Sequence, residues 1–363
     1  MDRKLSFYSP QLDVLRFMAA LLVFFHHAPS IPMLEPLKTF GWVGVDLFLV
    51  ISAFLLTRLL SLEWKSTGTI SLKDFFIRRA LRIWPLFFCY ASAMCGWALL
   101  KGDIEAETIL AWWLSFITFS NNLLSAVEGY SPVPYTGHLW TIALEEQAYI
   151  ALPIILLLLM NSHVSLKNIF LLAFGAILLL IAIRTVFVLV GTKHPFIWVL
   201  PLRADPFILG GVAAIFMEHK TISRPYIIFF LGTLLMASVA LFPAVNVPGS
   251  FQIIGYTILA FGCTAVVVSV QASIFMKSFF SWQFLRYAGK ISFGIYIYHI
   301  FCIAAARKLL SLVQTGDTEF KEIAVWCVGF TLTIIASVIS YEILEKPFLK
   351  IKHRYTKVNS RLA

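Results

Sequence analysis

The amino-acid sequence predicts an all-α fold, a polytopic membrane helix bundle of about ten transmembrane helices. The chain has 363 residues, of which 60% are hydrophobic and 13% are charged, and its mean hydropathy is +0.85. A soluble domain has roughly 25% charged residues, so this chain has too few polar side chains to cover a surface in water. Its aromatic content of 15% excludes a disordered or fibrous chain.

Ten segments are approximately long and apolar enough to cross a bilayer, which requires about 20 mainly apolar residues per helix. The predicted spans are 12–28, 42–60, 83–100, 139–160, 169–190, 204–217, 226–242, 254–270, 291–310 and 323–343. The segment 109–119 is predicted to lie along the interface or to re-enter the membrane. Because no Pro-, Gly- or Ser-rich linker divides the chain, residues 1–363 are predicted to form one integral-membrane domain with a short basic cytoplasmic tail, 346–363.

The basic residues predict the orientation. With the N-terminus inside, 21 of the 29 Lys and Arg residues fall in cytoplasmic segments and 7 in outer loops. This excess predicts that both termini are cytoplasmic. It also explains the net charge of +10 without nucleic acid as a partner. The five cysteines all lie in apolar stretches without C-x-x-C spacing, so no metal site and no disulfide framework are predicted.

Charged side chains inside the first predicted span are candidates for function, because a charge in a bilayer costs several kcal/mol. Arg16 and His27 are 11 positions apart. At about 100° and 1.5 Å per residue, they share one helix face about 16 Å apart along the axis. The alternative is that His26 and His27 simply lie at the outer interface and make hydrogen bonds there.

The fourth predicted span, HLWTIALEEQAYIALP, places polar groups on one face. His138 and Glu145 are seven residues apart, and Tyr149 follows Glu145 by one turn. Trp140 lies at the same end of the span as His138. An interhelical ion pair is the alternative for the carboxylate, since a buried carboxylate requires partners from other helices.

The segment FFIRRALRIWP places Arg78, Arg79 and Arg82 at the predicted cytoplasmic face. These residues are spaced so that they could clamp phosphate groups. The ordinary alternative is a topogenic signal that only sets orientation. Other candidates are Asp46, Ser52, Arg203, Asp205, Tyr296 and His299. For Tyr296 and His299, in the ninth predicted span, the alternative role is interhelical hydrogen bonding.

Seven motifs together resemble the acyltransferase-3 family of bacterial integral-membrane O-acyltransferases. They are R-x10-H at Arg16 and His27, GVDLFLVISAFLL, FFIRRALRIWP, HLWTIALEEQAYIALP, RADPFILGG, ISFGIYIYH and LEKPF. The resemblance covers roughly residues 7–350. Ala53, Thr141 and Tyr298 depart from the usual Gly, Ser and Trp, which affects the expected shape of the pocket more than the reaction.

The resemblance implies an acyl-CoA donor taken from the cytoplasm and transfer to a hydroxyl group at the outer side. It implies that His27 is essential, that Arg16 is its motif partner, and that Arg78, Arg79 and Arg82 bind the donor. Acetyl-CoA, or another acyl-CoA, is the expected co-substrate. No metal is expected. We expect CoA phosphates at Arg78, Arg79 and Arg82 and the thioester extending through a polar channel toward His27. Arg16 is expected beside that channel, and Ser52 is expected among the donor-binding residues.

Imidazole is suited to accept a proton near neutral pH. We therefore expect His27 to deprotonate the acceptor hydroxyl, and Glu145 or Asp46 to orient its ring as the acid does in a catalytic triad. A ping-pong route through an acylated Ser52 or Tyr296 is the alternative. The expected substrate-binding residues are His138, Trp140, Tyr149, Arg203, Asp205, Tyr296 and His299.

The expected acceptor is an envelope glycan, such as a polysaccharide, an O-antigen or a lipid-linked sugar, modified at the bacterial cytoplasmic (inner) membrane among membrane lipids. A homodimer is a candidate assembly. Two other functions stay open from the sequence: a multi-span transporter of a small solute, whose polar path would use the same buried charges, and an acyltransferase acting on a small metabolite from the cytoplasmic side.

Overall fold

The computed structural model describes residues 7–191, 200–242, 249–279, 282–312 and 318–358, and the regular elements in these ranges are all helices. The predicted all-α fold is therefore confirmed. Residues 359–363 of the predicted basic tail lie outside the described residues, as do the first six residues of the chain.

The bundle contains long helices joined by short helical turns. The α-helices are α1 (Pro10–His27), α2 (Glu35–Phe40), α3 (Val43–Thr67), α4 (Leu72–Lys101), α5 (Ala106–Ile117), α6 (Asn121–Glu128), α7 (Trp140–Asn161), α8 (Leu166–Val190), α9 (Asp205–His219), α10 (Pro225–Ser238), α11 (Tyr256–Ala272), α12 (Ile274–Phe279), α13 (Gln283–Lys290), α14 (Ser292–Ser311), α15 (Thr318–Ser340) and α16 (Lys346–Lys352). A 3₁₀ turn, Gly137–Leu139, leads into α7.

Each of the ten predicted spans corresponds to a helix of the structure. In the described ranges, seven helical segments are long and apolar enough to cross a membrane: Val43–Thr67, Leu72–Lys101, Gly137–Asn161, Leu166–Val190, Phe251–Ala272, Ser292–Ser311 and Glu319–Tyr355. The other three, α1, α9 and the segment Pro225–Leu241, are shorter or more polar. The polytopic bundle is thus confirmed, whereas the number of spans and their sidedness stay predictions.

The segment predicted at 109–119 forms α5, a helix of 12 residues. At 1.5 Å per residue it extends about 18 Å, which is too short for a hydrocarbon core of about 30 Å. This length fits the expectation of an interfacial or re-entrant helix. Its apolar side chains Ile109, Trp112 and Phe116 pack into the protein, while Leu110 and Leu114 are exposed.

Local sequence signals set the ends of the helices near the site. The hydroxyl of Ser71 accepts a hydrogen bond from the backbone N–H of Asp74 at 3.4 Å and caps the start of α4. Gly68 ends α3 and Gly102 ends α4, both with φ near +70°, a conformation that glycine adopts without steric cost.

Helix α1 lies inside the bundle and packs against α3, α11, α13 and α14. Its charged residues Asp13 and Arg16 are buried with its apolar ones. Close contact with the start of α3 depends on Gly44, where a Cβ atom would lie 2.4 Å from the backbone oxygen of Ala19. This contact holds α1, which carries Arg16 and His27, against α3.

The described ends of the chain lie at the same end of the bundle, here called the basic end. The guanidinium of Arg58, in the second half of α3, lies over the ring of Phe7. Arg78, near the start of α4, donates a hydrogen bond to the carbonyl of Tyr355 at 2.8 Å. Since α3 and α4 are joined by only a short turn, both described chain ends lie on the side of the bundle where these two helices meet.

Candidate active site

A large cavity opens at the end of α1 that is far from the basic end, and it is here called the histidine cavity. Its volume is about 1080 Å³. His27, the last residue of α1, is exposed to it. His138, Trp140, Arg203 and Tyr296 line it as well, so five of the residues that the sequence singled out surround one space.

A second, much smaller cavity lies nearer the basic end and is here called the arginine cavity. Its volume is about 70 Å³. Arg16, Arg79 and Arg82 line it, together with Glu145 and Tyr149. A cavity needs roughly 10–15 Å³ of volume to hold one water, so this cavity has room for only a few waters as it stands.

Both cavities are lined by Val45, Thr141 and Tyr296, which form the wall between them. The Tyr296 hydroxyl donates to the carbonyl of His138 at 2.7 Å and lies 2.5 Å from Thr141 Oγ1. Thr141 Oγ1 lies 3.3 Å from the same carbonyl, so the two hydroxyls and the carbonyl form one hydrogen-bonded group. One hydrogen-bonded layer of side chains therefore separates His27 from the arginines.

Three imidazole rings meet beside the histidine cavity. His27 Nδ1 lies 3.0 Å from the Val23 carbonyl oxygen and 3.2 Å from His299 Nε2. The ring centroids of His299 and His138 are 4.9 Å apart. His299 is fully buried behind His27 and does not line the cavity, so its expected role in contacting substrate is not met by the geometry.

The carboxylates expected to orient His27 are bonded elsewhere. Asp46 is fully buried and forms an ion pair with Arg203 at 2.5 Å. Glu145 accepts a hydrogen bond from Ser52 at 2.7 Å. The expectation that Asp46 or Glu145 contacts the imidazole is therefore not met, because each carboxylate found a nearer donor.

Ser52 and Tyr149 belong to the arginine cavity. Tyr149 donates to Ser52 Oγ at 3.2 Å, and Ser52 in turn donates to Glu145. The ring of Tyr149 also lies below the guanidinium of Arg79, 5.5 Å from its centroid. Tyr149 therefore contacts the predicted donor side and not the histidine cavity, where an acceptor-binding role had placed it.

The three arginines of the predicted phosphate clamp separate in the structure. Arg78 forms an ion pair with Glu63 at 2.9 Å and binds the Tyr355 carbonyl, so it joins α3 and α4 to the C-terminal segment. Arg79 and Arg82 turn into the arginine cavity. The Nε atom of Arg79 is buried and has no hydrogen-bond partner among the described residues, so an anion there would satisfy it.

Asp205 also departs from its expected role. It is fully buried, accepts two hydrogen bonds from Arg184 at 2.9 and 3.1 Å, and accepts a third from Thr257 at 2.5 Å. It therefore connects α8, α9 and α11 and does not line the histidine cavity. Its neighbour Arg203 does line the cavity, with its guanidinium over the ring of Trp140 at 5.3 Å.

The sequence reasoning missed three residues. Thr141 was noted only as a departure from a motif, although it forms part of the wall between the cavities. Glu63 and Arg184 were given no partner. A lone charge beside or inside an apolar run was the available signal for both, because such a charge needs a counter-charge from another helix. No group of His, Cys, Asp and Glu suited to a metal ion occurs in the ranges that the structure describes.

The chain matches the model of a family described as an acyltransferase domain, over residues 9–342. It is 29% identical, over 94% of its own length and 58% of the relative's, to a Staphylococcus aureus (strain MSSA476) protein named "Putative O-acetyltransferase". It is 24% identical, over 94% of its own length and 56% of the relative's, to the peptidoglycan O-acetyltransferase OatA of Listeria monocytogenes serovar 1/2a. No solved structure matches the chain.

The chain spans little more than half the length of these curated relatives, at 58% and 56%. The family model, in contrast, covers nearly all of the chain. Six of the seven motifs that carried the resemblance lie within the matched residues, and LEKPF follows them at 344–348. Several of the six contribute residues to the two cavities. The chain is therefore a multi-pass membrane protein that belongs to the acyltransferase-3 family.

Proposed function

We propose that this protein is a membrane O-acetyltransferase that moves an acetyl group from cytoplasmic acetyl-CoA to a hydroxyl group of an envelope glycan. The observation that carries the proposal is the pair of cavities on opposite sides of one wall. Cationic side chains surround one cavity and an exposed imidazole opens into the other. Donor and acceptor can thus approach from opposite ends and meet at the wall.

The arginine cavity supports binding of the donor. Three guanidinium groups, those of Arg16, Arg79 and Arg82, line a space next to the basic end. Guanidinium groups bind phosphates through paired hydrogen bonds. The cavity of about 70 Å³ is too small for a nucleotide, so the phosphates bind at its entrance and only the acyl-pantetheine arm enters, which widens it.

The histidine cavity supports binding of the acceptor. Ligand sites usually have volumes of about 300–1000 Å³, and a cavity of about 1080 Å³ has room for more than one sugar ring. Trp140 and Tyr130 supply flat aromatic surfaces, and Arg203 supplies hydrogen-bond donors. Such a mixture suits a hydroxylated ring with apolar faces better than an apolar metabolite.

The reaction follows from the exposed imidazole. His27 takes the proton of the acceptor hydroxyl, whose oxygen attacks the thioester carbonyl carbon. The carbon–sulfur bond breaks, and the CoA sulfur leaves with the proton that His27 had accepted. The products are an acetyl ester and CoA, whose thiol end reaches His27 at the wall during the reaction while its phosphates stay at the basic end.

The proposal is tested with purified protein in vesicles, given acetyl-CoA at the basic end and a soluble peptidoglycan fragment at the other. Mass spectrometry should find the fragment heavier by about 42 Da, the mass added when an acetyl group replaces a hydroxyl proton. The His27→Ala variant should lose this product, since general bases contribute about 10²- to 10⁴-fold. Product formation by His27→Ala at the wild-type rate would contradict the mechanism.

The donor site is tested separately. Arg82→Ala should raise the KM for acetyl-CoA about tenfold, because a hydrogen bond to a charged group is worth about 1.5–3 kcal/mol. Arg224, which is exposed at the start of α10, provides the matched control, and Arg224→Ala should leave the KM unchanged. An unchanged KM in Arg82→Ala would contradict the donor site.

The position of the acceptor cavity favours a glycan outside the membrane over a cytoplasmic metabolite. His27 lies about 11 helical residues, or about 16 Å, beyond Arg16. Supplying the acceptor only inside or only outside the vesicles separates these two functions. Acetylation restricted to the acceptor on the basic side would favour the metabolite enzyme.

A further inference from the structure

We propose that His299 is the positioning residue of His27 and takes the place that a carboxylate occupies in a catalytic triad. This inference rests on the proposed role of His27 as general base. The ring of His299 lies behind that of His27, with Nε2 at 3.2 Å from His27 Nδ1. The two rings come from α1 and α14, which are 272 residues apart in the chain.

The hydrogen bonds of His299 determine where its proton lies. Its Nδ1 atom is 2.7 Å from the carbonyl oxygen of Tyr296. A carbonyl oxygen only accepts, so Nδ1 carries the hydrogen and donates it. In a neutral imidazole the other nitrogen then has a lone pair. His299 Nε2 is therefore an acceptor, and it points at His27.

The hydrogen bonds of His27 determine its tautomer in the same way. Its Nδ1 atom faces two acceptors, the Val23 carbonyl at 3.0 Å and His299 Nε2 at 3.2 Å. Nδ1 must therefore carry the hydrogen, which both acceptors share. The basic lone pair of His27 is left on Nε2, and the ring is exposed to the cavity where the acceptor hydroxyl binds.

His299 positions the ring and does not relay a proton. Its own N–H is held by the Tyr296 carbonyl, so it cannot pass a proton onward without losing that bond. When His27 accepts the proton of the hydroxyl at Nε2, its Nδ1–H becomes a stronger donor, and the lone pair of His299 stabilises it. The buried site thus orients the base without a buried negative charge, which is costly away from water.

The test compares His299→Gln with His299→Leu. The side-chain oxygen of Gln can stand near the position of His299 Nε2 and accept from His27, whereas Leu has similar bulk and no acceptor. Loss of a hydrogen bond to a charging group predicts a kcat lower by about 10- to 100-fold in His299→Leu. The KM for acetyl-CoA should not change, and His299→Gln should recover most of the kcat.

Cys302 provides a matched control. It is buried one turn further along α14 and lines neither cavity. Cys302→Ala should keep the wild-type kcat, which separates a lost acceptor from loosened packing. Should His299→Leu fail to insert, His299→Asn replaces it, because the shorter amide does not reach the position of Nε2 and should lose kcat as Leu does.

The outcomes separate the inference from the function on which it rests. A kcat within twofold of wild type in His299→Leu, with His27→Ala inactive, overturns the positioning role and leaves the proposed function standing. Equal kcat losses in the Gln variant and in the Leu or Asn variant also overturn the positioning role. A residue with a merely structural role would not need a hydrogen-bond acceptor at the position of Nε2. Activity in His27→Ala would instead refute the proposed mechanism itself.

Discussion

Replacing Arg184 with leucine should lower the free energy of unfolding by about 3–5 kcal/mol, the range typical for one partner removed from a buried ion pair. Arg184 and Asp205 are both fully buried and share two hydrogen bonds at 2.9 and 3.1 Å. Charges about 4 Å apart at an effective dielectric constant near 20 attract each other by about 4 kcal/mol. After the substitution, Asp205 would keep only the hydroxyl of Thr257.

The assay measures unfolding in mixed micelles as the fraction of a denaturing detergent is raised. Unfolding is followed by the loss of the spectroscopic signals of helical and of tertiary structure. The double variant Arg184→Leu/Asp205→Asn should recover most of the lost stability, since it leaves no unpaired buried charge. Acetyl transfer per folded molecule should stay at the wild-type level in both variants, because neither residue lines a cavity. Arg184→Leu within about 1 kcal/mol of wild type would refute the reasoning.

Three further predictions concern the wall, the basic end and the packing of α3. Tyr296→Phe removes a hydroxyl from the wall, so water should reach the thioester more easily. Hydrolysis of acetyl-CoA without an acceptor, measured as free thiol, should rise severalfold. No rise would contradict a wall that excludes water. Arg78→Gln breaks the ion pair with Glu63 and should lower the free energy of unfolding by about 1.5–3 kcal/mol, while the KM for acetyl-CoA stays within twofold. An increase in the KM for acetyl-CoA as large as the one expected for Arg82→Ala would indicate that Arg78 belongs to the donor site. Gly44→Leu places a Cβ atom 2.4 Å from a backbone oxygen, so this variant should give no monodisperse protein in size-exclusion chromatography. Gly96→Leu, whose Cβ position has no atom of the described residues within 4 Å, should remain monodisperse. Equal yields of the two variants would contradict the close contact at Gly44.

Much of the fold could be predicted because it depends on local sequence. A helix that crosses a membrane must be apolar along one continuous stretch, since its backbone is satisfied within that stretch. Each predicted span is accordingly a helix in the structure. This includes the short predicted segment 204–217, which corresponds to the 15 residues of α9. Glycine and serine at the ends of α3 and α4 act through neighbouring residues only.

Part of the site could also be predicted, because it too depends on local sequence. Arg16 and His27 lie on one helix, so their separation of 11 residues already sets their distance along the axis. The rarity of charge inside a membrane singled out Glu145, Asp46 and Arg203 as residues with partners. Which partners these are did not follow.

The partners come from helices far apart in the chain, so no spacing in the sequence reports them. Asp46 pairs with Arg203 across 157 residues, and Ser52 bonds Glu145 across 93. His299 was expected to face the substrate, yet it faces the back of His27. Its position on α14 does not determine which neighbouring helix its ring contacts.

The sequence by itself determined that this chain is a helical membrane bundle and which polar residues a bilayer would not tolerate without partners, because hydropathy and helix period act along the chain. Only the tertiary structure decided how those residues are divided between two cavities, which acids are occupied in ion pairs, and which imidazole supports the reactive one. Hydrogen bonds and ion pairs act over about 3 Å, a distance that helix packing sets and the order of residues does not.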